Sequence, residues 1–209
     1  SSIAPLEIPS EDRNRTSPFP YGGHRFEFRA VGSSQNVSLV NTVLATIVAK
    51  SFKEFANAIA AGASPKEIAR NALNSSWKNV FNGNGYDRAN QEMLTNSGLW
   101  RIDSGVDAIC RYSVEKNVQL FEEMKVLTAE ECTARETVML NHYIGTVEIE
   151  ALTMIDMMQQ YVIPAVKKCN GDLLSELVTA VDRLKASLAE IHSASSAVEK
   201  AQLSRVLRL

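Results

Sequence analysis

The chain has 209 residues and a mass of 23.0 kDa, enough for one large domain or a domain with an appendage, and its 45% hydrophobic and 22% charged residues are typical of a folded globular protein. A net charge of −2 and a pI of 6.0 argue against general binding to nucleic acid or to an acidic membrane surface. No apolar run reaches the roughly 18 residues that a bilayer-spanning helix needs. The cysteines form neither a zinc spacing nor a disulfide framework, and no secretory leader is visible, so we expect an intracellular location, either the cytoplasm or an organelle interior.

The first 35 residues predict extended backbone. Four of the six prolines lie in the first twenty residues, and proline fixes φ and donates no backbone hydrogen bond. Residues 25–31 then alternate charged and aromatic side chains with a period of two, which predicts a strand. Phe26 and Phe28 share one face of it, and the other face carries the charged side chains of Arg25, Glu27 and Arg29.

From residue 36 onward the apolar spacing predicts helices. We expect them at 38–61, from 65 to about 81, near 87–96, from 104 to about 124, from 128 to about 162, and from 172 onward. Gly62 is expected just after the first helix, and Ser64-Pro65-Lys66-Glu67 to open the second through a capping serine, a proline at the first position and a glutamate that reaches back. Thr128 to Glu131 form a capping box, and Pro164 should kink or end the helix before it.

The last helix predicts a hairpin. Its apolar residues alternate steps of three and four from Leu174 to Val198, with Ser195 filling one position of a coiled-coil-like seam. Two long helices joined by a short turn at Asn170-Gly171, with Asp172 as the cap, should pack antiparallel. The predicted fold is mainly α with a short β segment, ending in a long antiparallel helical hairpin.

One charge constellation falls on predicted non-helical backbone. Residues 12–15 (Asp-Arg-Asn-Arg) are followed by Arg25-x-Glu27-x-Arg29, so one strand face presents a cation, an anion and a cation. This pattern is compatible with a cross-strand ion-pair ladder on a solvent face. It is equally the chemistry of a site in which the carboxylate holds a divalent metal and the arginines hold phosphate or carboxylate groups.

These segments resemble a known family. Residues 12–19 (Asp-Arg-Asn-Arg-Thr-Ser-Pro-Phe) and 25–35 (Arg-Phe-Glu-Phe-Arg-Ala-Val-Gly-Ser-Ser-Gln) resemble the late catalytic region of type III glutamine synthetases. Downstream stretches resemble the C-terminal helical region of that family, namely residues 115–121, 126–128, 148–157 and 163–165. The resemblance covers most of residues 12–170.

The resemblance implies an activity and roles. The family makes glutamine from glutamate, ammonia and ATP through a γ-glutamyl phosphate, with two or three Mg²⁺ or Mn²⁺ ions. By resemblance, Glu27 is a metal ligand, and Arg29 is a catalytic residue that contacts the glutamate substrate or the transferring phosphate. Arg25 contacts ATP phosphate, and Arg15 binds phosphate or substrate from the preceding loop.

Two departures qualify the resemblance. Other glutamine synthetases often carry a further arginine where this chain has Pro20, so that phosphate contact falls to Arg13 or is absent. The family also needs more carboxylates and a histidine for its metals, and the first eleven residues cannot supply them. Because Glu27 alone cannot fix two metals, we expect the C-terminal part of a longer synthetase, inactive by itself.

The resemblance also divides the chain. It implies the end of a catalytic β region at 1–35, a helical part at 36–127 and a C-terminal helical hairpin at 128–209. It implies a homo-oligomer, a dodecamer of stacked hexameric rings. The alternative is a non-catalytic helical interaction or scaffold protein derived from the synthetase C-terminal region.

Overall fold

A computed structural model describes residues 17–23, 25–32, 35–99, 101–169 and 172–208. The predicted loop over residues 1–16, with Arg13 and Arg15, lies outside the described residues. The described chain is mainly α-helical, which confirms the predicted fold class. It divides into two compact units, the first ending at Arg101 and the second beginning at Ile102. The domain boundaries predicted after residues 35 and 127 stay predictions.

The first unit begins with an extended hairpin-like segment. The N–H of Glu27 donates to the carbonyl of Pro20 at 3.1 Å, and the N–H of Arg29 donates to the carbonyl of Pro18 at 2.8 Å. The described part of this segment forms one isolated β-bridge and no regular strand, so the strand predicted over residues 25–31 was wrong. The pairing stays irregular because both prolines lack the N–H that a regular ladder needs from the opposing arm.

Helix α1 spans Val37–Ala60, close to the predicted range, and begins at the capping residue Asn36. Gly62 follows it with φ +93°, as predicted. The N–H of Gly62 donates to the carbonyl of Ile59 at 2.9 Å, and the N–H of Ala63 donates to that of Ala58 at 3.0 Å. These two bonds form a Schellman motif, which needs the left-handed conformation that glycine adopts without strain.

Two shorter helices complete the first unit. Helix α2 spans Pro65–Ser76 and continues as a 3₁₀ turn over Trp77–Asn79, so it ends earlier than the predicted residue 81. Ser64 occupies the cap position, but its side chain makes no capping hydrogen bond, so that part of the prediction was wrong. Helix α3 spans Arg88–Asn96 as predicted, and Asp87 caps it.

The second unit contains six helices in its described residues, with a π-helical turn at Met158–Val162. They are α4 Gly105–Ile109, α5 Glu115–Glu123, α6 Ala129–Met157, α7 Ile163–Lys168, α8 Leu174–Ser193 and α9 Ala197–Arg208. The single helix predicted from 104 to 124 was wrong, because a turn over residues 110–114 separates α4 from α5. The side-chain amide of Asn117 donates to the carbonyl of Arg111 at 2.6 Å and holds this turn.

The capping box predicted at the start of the long helix is present. The N–H of Thr128 donates to the carboxylate of Glu131 at 2.8 Å, and the N–H of Glu131 donates to the Thr128 hydroxyl at 3.3 Å, so the capping box is confirmed. Pro164 lies in the first turn of α7. Proline has no N–H and therefore cannot donate the helical hydrogen bond at this position. The backbone directly before it adopts a π-helical turn in place of the regular α-helical pattern.

Helices α6 and α8 form the predicted antiparallel hairpin. His192, at the end of α8, places Nε2 2.7 Å from Oε1 of Glu148 in the middle of α6. Side chains from both helices form a shared buried cluster, which consists of Ala151, Ile155, Val181, Leu188 and Ile191. The seam predicted for the last helix therefore holds as far as Ile191. The predicted cap Asp172 was wrong, because α8 begins at Leu174 with Leu173 as its cap.

The chain beyond α8 does not continue as one helix, as we had predicted. Ala194 is extended, with φ −63° and ψ 146°. The N–H of Glu199 donates to the hydroxyl of Ser196 at 3.1 Å, and the Glu199 carboxylate accepts from the N–H of Ser195 at 2.9 Å. These bonds cap a new helix, α9, and Ser195 therefore belongs to a turn and not to the seam.

Helix α9 completes a three-helix bundle with α6 and α8. Ala201 of α9 is fully buried and packs with Val106 of α4 and Leu140 of α6. At the far end of α9, a guanidinium nitrogen of Arg208 lies 3.0 Å from the carboxylate of Glu150. None of the described helices has the length and apolar character to cross a membrane.

Candidate functional site

The aromatic side chains of the hairpin-like segment lie on one face. The ring centroid of Phe19 is 5.3 Å from that of Phe26 and 5.9 Å from that of Phe28. The ring of Tyr21 lies 5.1 Å from Phe26. The period-two alternation therefore predicted correctly that the aromatic side chains share a face. Their ring contacts stabilise the segment that carries the alternating charged residues.

The charged face brings two predicted site residues together. An Nη2 nitrogen of Arg29 lies 3.2 Å from Oε2 of Glu27, and the N–H donates to the carboxylate. The Arg29 side chain is 18% exposed, whereas that of Glu27 is 53% exposed. The Arg29 side chain is thus mostly shielded from solvent, whereas about half of the Glu27 side chain is exposed.

A tight turn positions Arg25. The N–H of Gly22 donates to the carbonyl of Arg25 at 2.7 Å, and Gly23 has φ +79°. A Cβ atom at Gly22 would lie 3.3 Å from Cγ of Arg25. The aliphatic stem of Arg25 therefore packs over the glycine turn, and the residue itself is exposed.

The pair differs from the ladder that the sequence allowed. Arg29 and Glu27 are two residues apart on the same arm, and no charged residue faces them from residues 18–21 (Pro-Phe-Pro-Tyr). A guanidinium beside a carboxylate can bind phosphate or carboxylate bidentately on one side and a hard cation on the other. Arg13 and Arg15, the other two predicted site residues, lie outside the described residues.

The described residues do not by themselves fit a cluster of two or three metal ions. No group of three or more His, Cys, Asp or Glu side chains within the described ranges could hold a metal ion. Glu27 can supply one carboxylate oxygen pair, and a two-metal site needs several more ligands. A metal site that uses Glu27 must therefore take its other ligands from outside the described residues.

Comparison with known proteins decides the family. Residues 65–181, more than half of the chain, match the sequence model of the glutamine synthetase C-terminal domain. The chain belongs to this glutamine synthetase family. It is 36% identical over 168 residues to the type-3 glutamine synthetase of Dictyostelium discoideum, which covers 77% of this chain and 23% of that protein. This similarity supports the predicted type III resemblance.

Two bacterial relatives are also glutamine synthetases. A glutamine synthetase of Butyrivibrio fibrisolvens is 29% identical over 178 residues, covering 80% of this chain and 25% of that protein. One from Bacteroides fragilis is 27% identical over 183 residues, covering 84% of this chain and 25% of that protein. The chain therefore spans about a quarter of the length of the curated relatives that it matches. Since the family match begins at residue 65, the roles of Arg25, Glu27 and Arg29 stay predictions.

Sequence reasoning missed a buried polar cluster in the second unit. Burial raises the pKa of the Cys110 and Cys132 thiols, with nearby carboxylates adding to the effect. Oη of Tyr112 and Oε2 of Glu136 are buried without a hydrogen-bond partner within the described residues. Thiols with a raised pKa are poor nucleophiles, and the sequence signal was one cysteine directly after α4 and one within α6. The cluster is structural.

Proposed function

We propose that this chain is the C-terminal quarter of a glutamine synthetase, and that the complete protein joins ammonia to glutamate through γ-glutamyl phosphate with ATP as co-substrate. Membership in the family supports this proposal. The observation that supports a role for particular residues is the Arg29–Glu27 pair. Nη2 of Arg29 lies 3.2 Å from Oε2 of Glu27, on a short segment whose opposite face consists of stacked aromatic rings.

Phosphoryl transfer depends mainly on positioning and on neutralising the charge of the phosphates. Arg29 would orient the glutamate substrate or the transferring phosphate, and Arg25 would bind ATP phosphate. Glu27 would be one ligand of Mg²⁺ or Mn²⁺, which when bound supplies further positive charge to the phosphates. Arg15 and Arg13 of the preceding loop would add phosphate contacts.

We further propose that the 209-residue chain makes no glutamine alone, since the described residues contain no metal-binding group of three, and that the remaining metal ligands come from other parts of a longer protein. The complete protein would be a homo-oligomer, a dodecamer of stacked hexameric rings. It would work in a reducing compartment, the cytoplasm or an organelle interior, which the three free cysteines support.

The test is a chimera in which this chain replaces the matching quarter of the Dictyostelium type-3 glutamine synthetase. We expect ATP-dependent glutamine formation by the chimera, and none by the 209-residue chain.

In the chimera, Arg29→Ala should lower kcat about 100-fold or more, as removal of a charge-stabilising donor does in other sites. Glu27→Ala should weaken metal-dependent ATP binding, measured by calorimetry.

The matched control is Arg88→Ala, which removes an arginine whose side chain is 91% exposed and paired with Glu92 on α3. We expect it to leave both readouts unchanged. If Glu27→Ala left metal and nucleotide affinity unchanged and Arg29→Ala left kcat unchanged, these residues would not form the site. A non-catalytic helical interaction protein would then be the better account.

A further inference from the structure

Helix α1 has an apolar face that the described chain leaves exposed. Val37, Val48, Phe52 and Ile59 follow one another at spacings of eleven, four and seven residues, which puts them on one side of the helix. Their exposed fractions are 50%, 49%, 67% and 48%. We call these four residues the α1 face.

The opposite side of α1 carries charged and polar side chains together with the apolar residues Leu39, Val43 and Ile47. Nζ of Lys50 lies 3.3 Å from the carboxylate of Glu54. Asn57 follows Val48 by nine residues, two and a half helical turns, and therefore lies on the side opposite the α1 face. Apolar helix residues normally pack against a protein core, yet in the described part of the first unit only Pro20 and Thr46 are buried.

The hairpin-like segment repeats this arrangement. Its aromatic rings contact one another, yet Phe26 remains 63% exposed and Phe19 45% exposed. The second unit, in contrast, buries a core of its own. Contiguous exposed apolar surface on a folded protein marks a surface that another polypeptide covers.

We propose that the α1 face is the docking surface for the catalytic portion of the synthetase, the part of the protein that lies outside the matched quarter. This inference rests on the proposed function. The relatives carry about three quarters of their length outside the shared segment, which is ample polypeptide to cover this helix. The face carries no charge, so its partner surface is apolar, as in permanent interfaces.

Helix α1 lies close in sequence to the Arg29–Glu27 pair, so its docking also affects where that pair lies. Helix α1 begins eight residues after Arg29. Docking of α1 on the catalytic portion therefore brings the Arg29–Glu27 pair to the same part of the protein, and the helix serves as the anchor of the site segment. Phe52, the most exposed of the four, is the residue expected to contribute most.

Hydrogen–deuterium exchange of the α1 amides tests this proposal in the 209-residue chain and in the chimera. A helix draws most of its stability from packing of its apolar face, so we expect exchange roughly 100-fold slower in the chimera than in the isolated chain. Phe52→Glu in the chimera should restore fast exchange. Asn57→Glu, which adds the same charge on the opposite side, should not.

Three results would overturn the proposal. Slow α1 exchange in an isolated monomer would mean that this chain covers the face itself. Slow exchange in an isolated dimer, lost when Phe52→Glu dissociates it, would identify a second copy as the occupant. Fast exchange in the chimera would mean that the face stays uncovered.

The exchange and the activity readouts separate this inference from the proposed function. Slow α1 exchange in a chimera that makes no glutamine supports the docking and contradicts the function. Glutamine formation by a chimera with fast α1 exchange supports the function and contradicts the docking. Arg29→Ala should lower kcat about 100-fold or more and leave α1 exchange slow.

Discussion

Tyr112 shows, at the scale of single residues, how one side chain can combine a favourable and an unfavourable environment. Its ring stacks on Phe121, with centroids 5.4 Å apart. Its hydroxyl is buried without a hydrogen-bond partner within the described residues, and burial raises its pKa, with Arg135 opposing. A buried polar atom without a partner costs about 1–3 kcal/mol.

We therefore predict that Tyr112→Phe raises the free energy of unfolding by about 1 kcal/mol, because it keeps the ring contact and removes the unpartnered hydroxyl. Urea denaturation measures the change. Tyr161→Phe, at an exposed ring, is the control and should change nothing. A loss of stability in Tyr112→Phe would show that the hydroxyl has a partner, such as a buried water.

The site residues show what alternation alone can predict. It predicted that Phe26 and Phe28 share a face, and both contact Phe19. It could not predict that Glu27 pairs with Arg29 along the same arm. In residues 18–21 of the opposing arm, Pro18 and Pro20 restrict the hydrogen bonding and no residue is charged.

At the scale of elements, local capping outweighed apolar periodicity. The three-four pattern runs on to Val198, yet the helix ends at Ser193 because Ser196 and Glu199 cap a new one. The sequence Ser-Ala-Val-Glu at 196–199 is a capping-box pattern and could have predicted the break. The start of α6, where the same pattern was recognised, was predicted correctly.

The cap of α9 predicts a pH dependence. Hydrogen bonds from the N–H and hydroxyl of Ser195 hold the pKa of Glu199 below its ordinary value of 4.5. A carboxyl whose pKa is lower in the folded state stabilises the fold at pH values above its unfolded pKa. That contribution is lost as the pH falls through the folded value.

We expect Glu199→Gln to be less stable than the original chain at pH 7, and the difference to shrink once the pH falls below about 4.5. Denaturation at a series of pH values measures it. Glu190→Gln, which removes an exposed carboxylate from α8, is the control and should follow the original chain. A difference that is the same at pH 7 and well below pH 4 would show that the charge of Glu199 does not contribute to the cap.

At the scale of the whole molecule, the two units differ in what the sequence could predict. The second unit buries its own apolar seam, so periodicity in α8 was enough to predict the antiparallel hairpin with α6. In the first unit α1 was predicted nearly to the residue, but its apolar face has no partner in the described chain. In the proposed docking its packing depends on polypeptide outside this sequence, and no pattern within the chain can report that surface.

The prediction of the site is limited in the same way, because the described residues do not contain a complete set of metal ligands. Glu27 supplies one carboxylate, and the described residues contain no metal-binding group of three. The proposed function therefore requires that this chain works as part of a longer synthetase. A chain with a quarter of its relatives' length and an uncovered α1 face agrees with that claim.

The most direct test is the denatured mass of the polypeptide that carries this sequence in its native source, measured by mass spectrometry after capture through the second unit. We predict a mass several-fold above 23.0 kDa, because the chain matches only about a quarter of the length of its relatives. A single polypeptide of 23.0 kDa would contradict it. The Arg29–Glu27 segment could not then complete a site within one chain, and a helical interaction protein would become the better account.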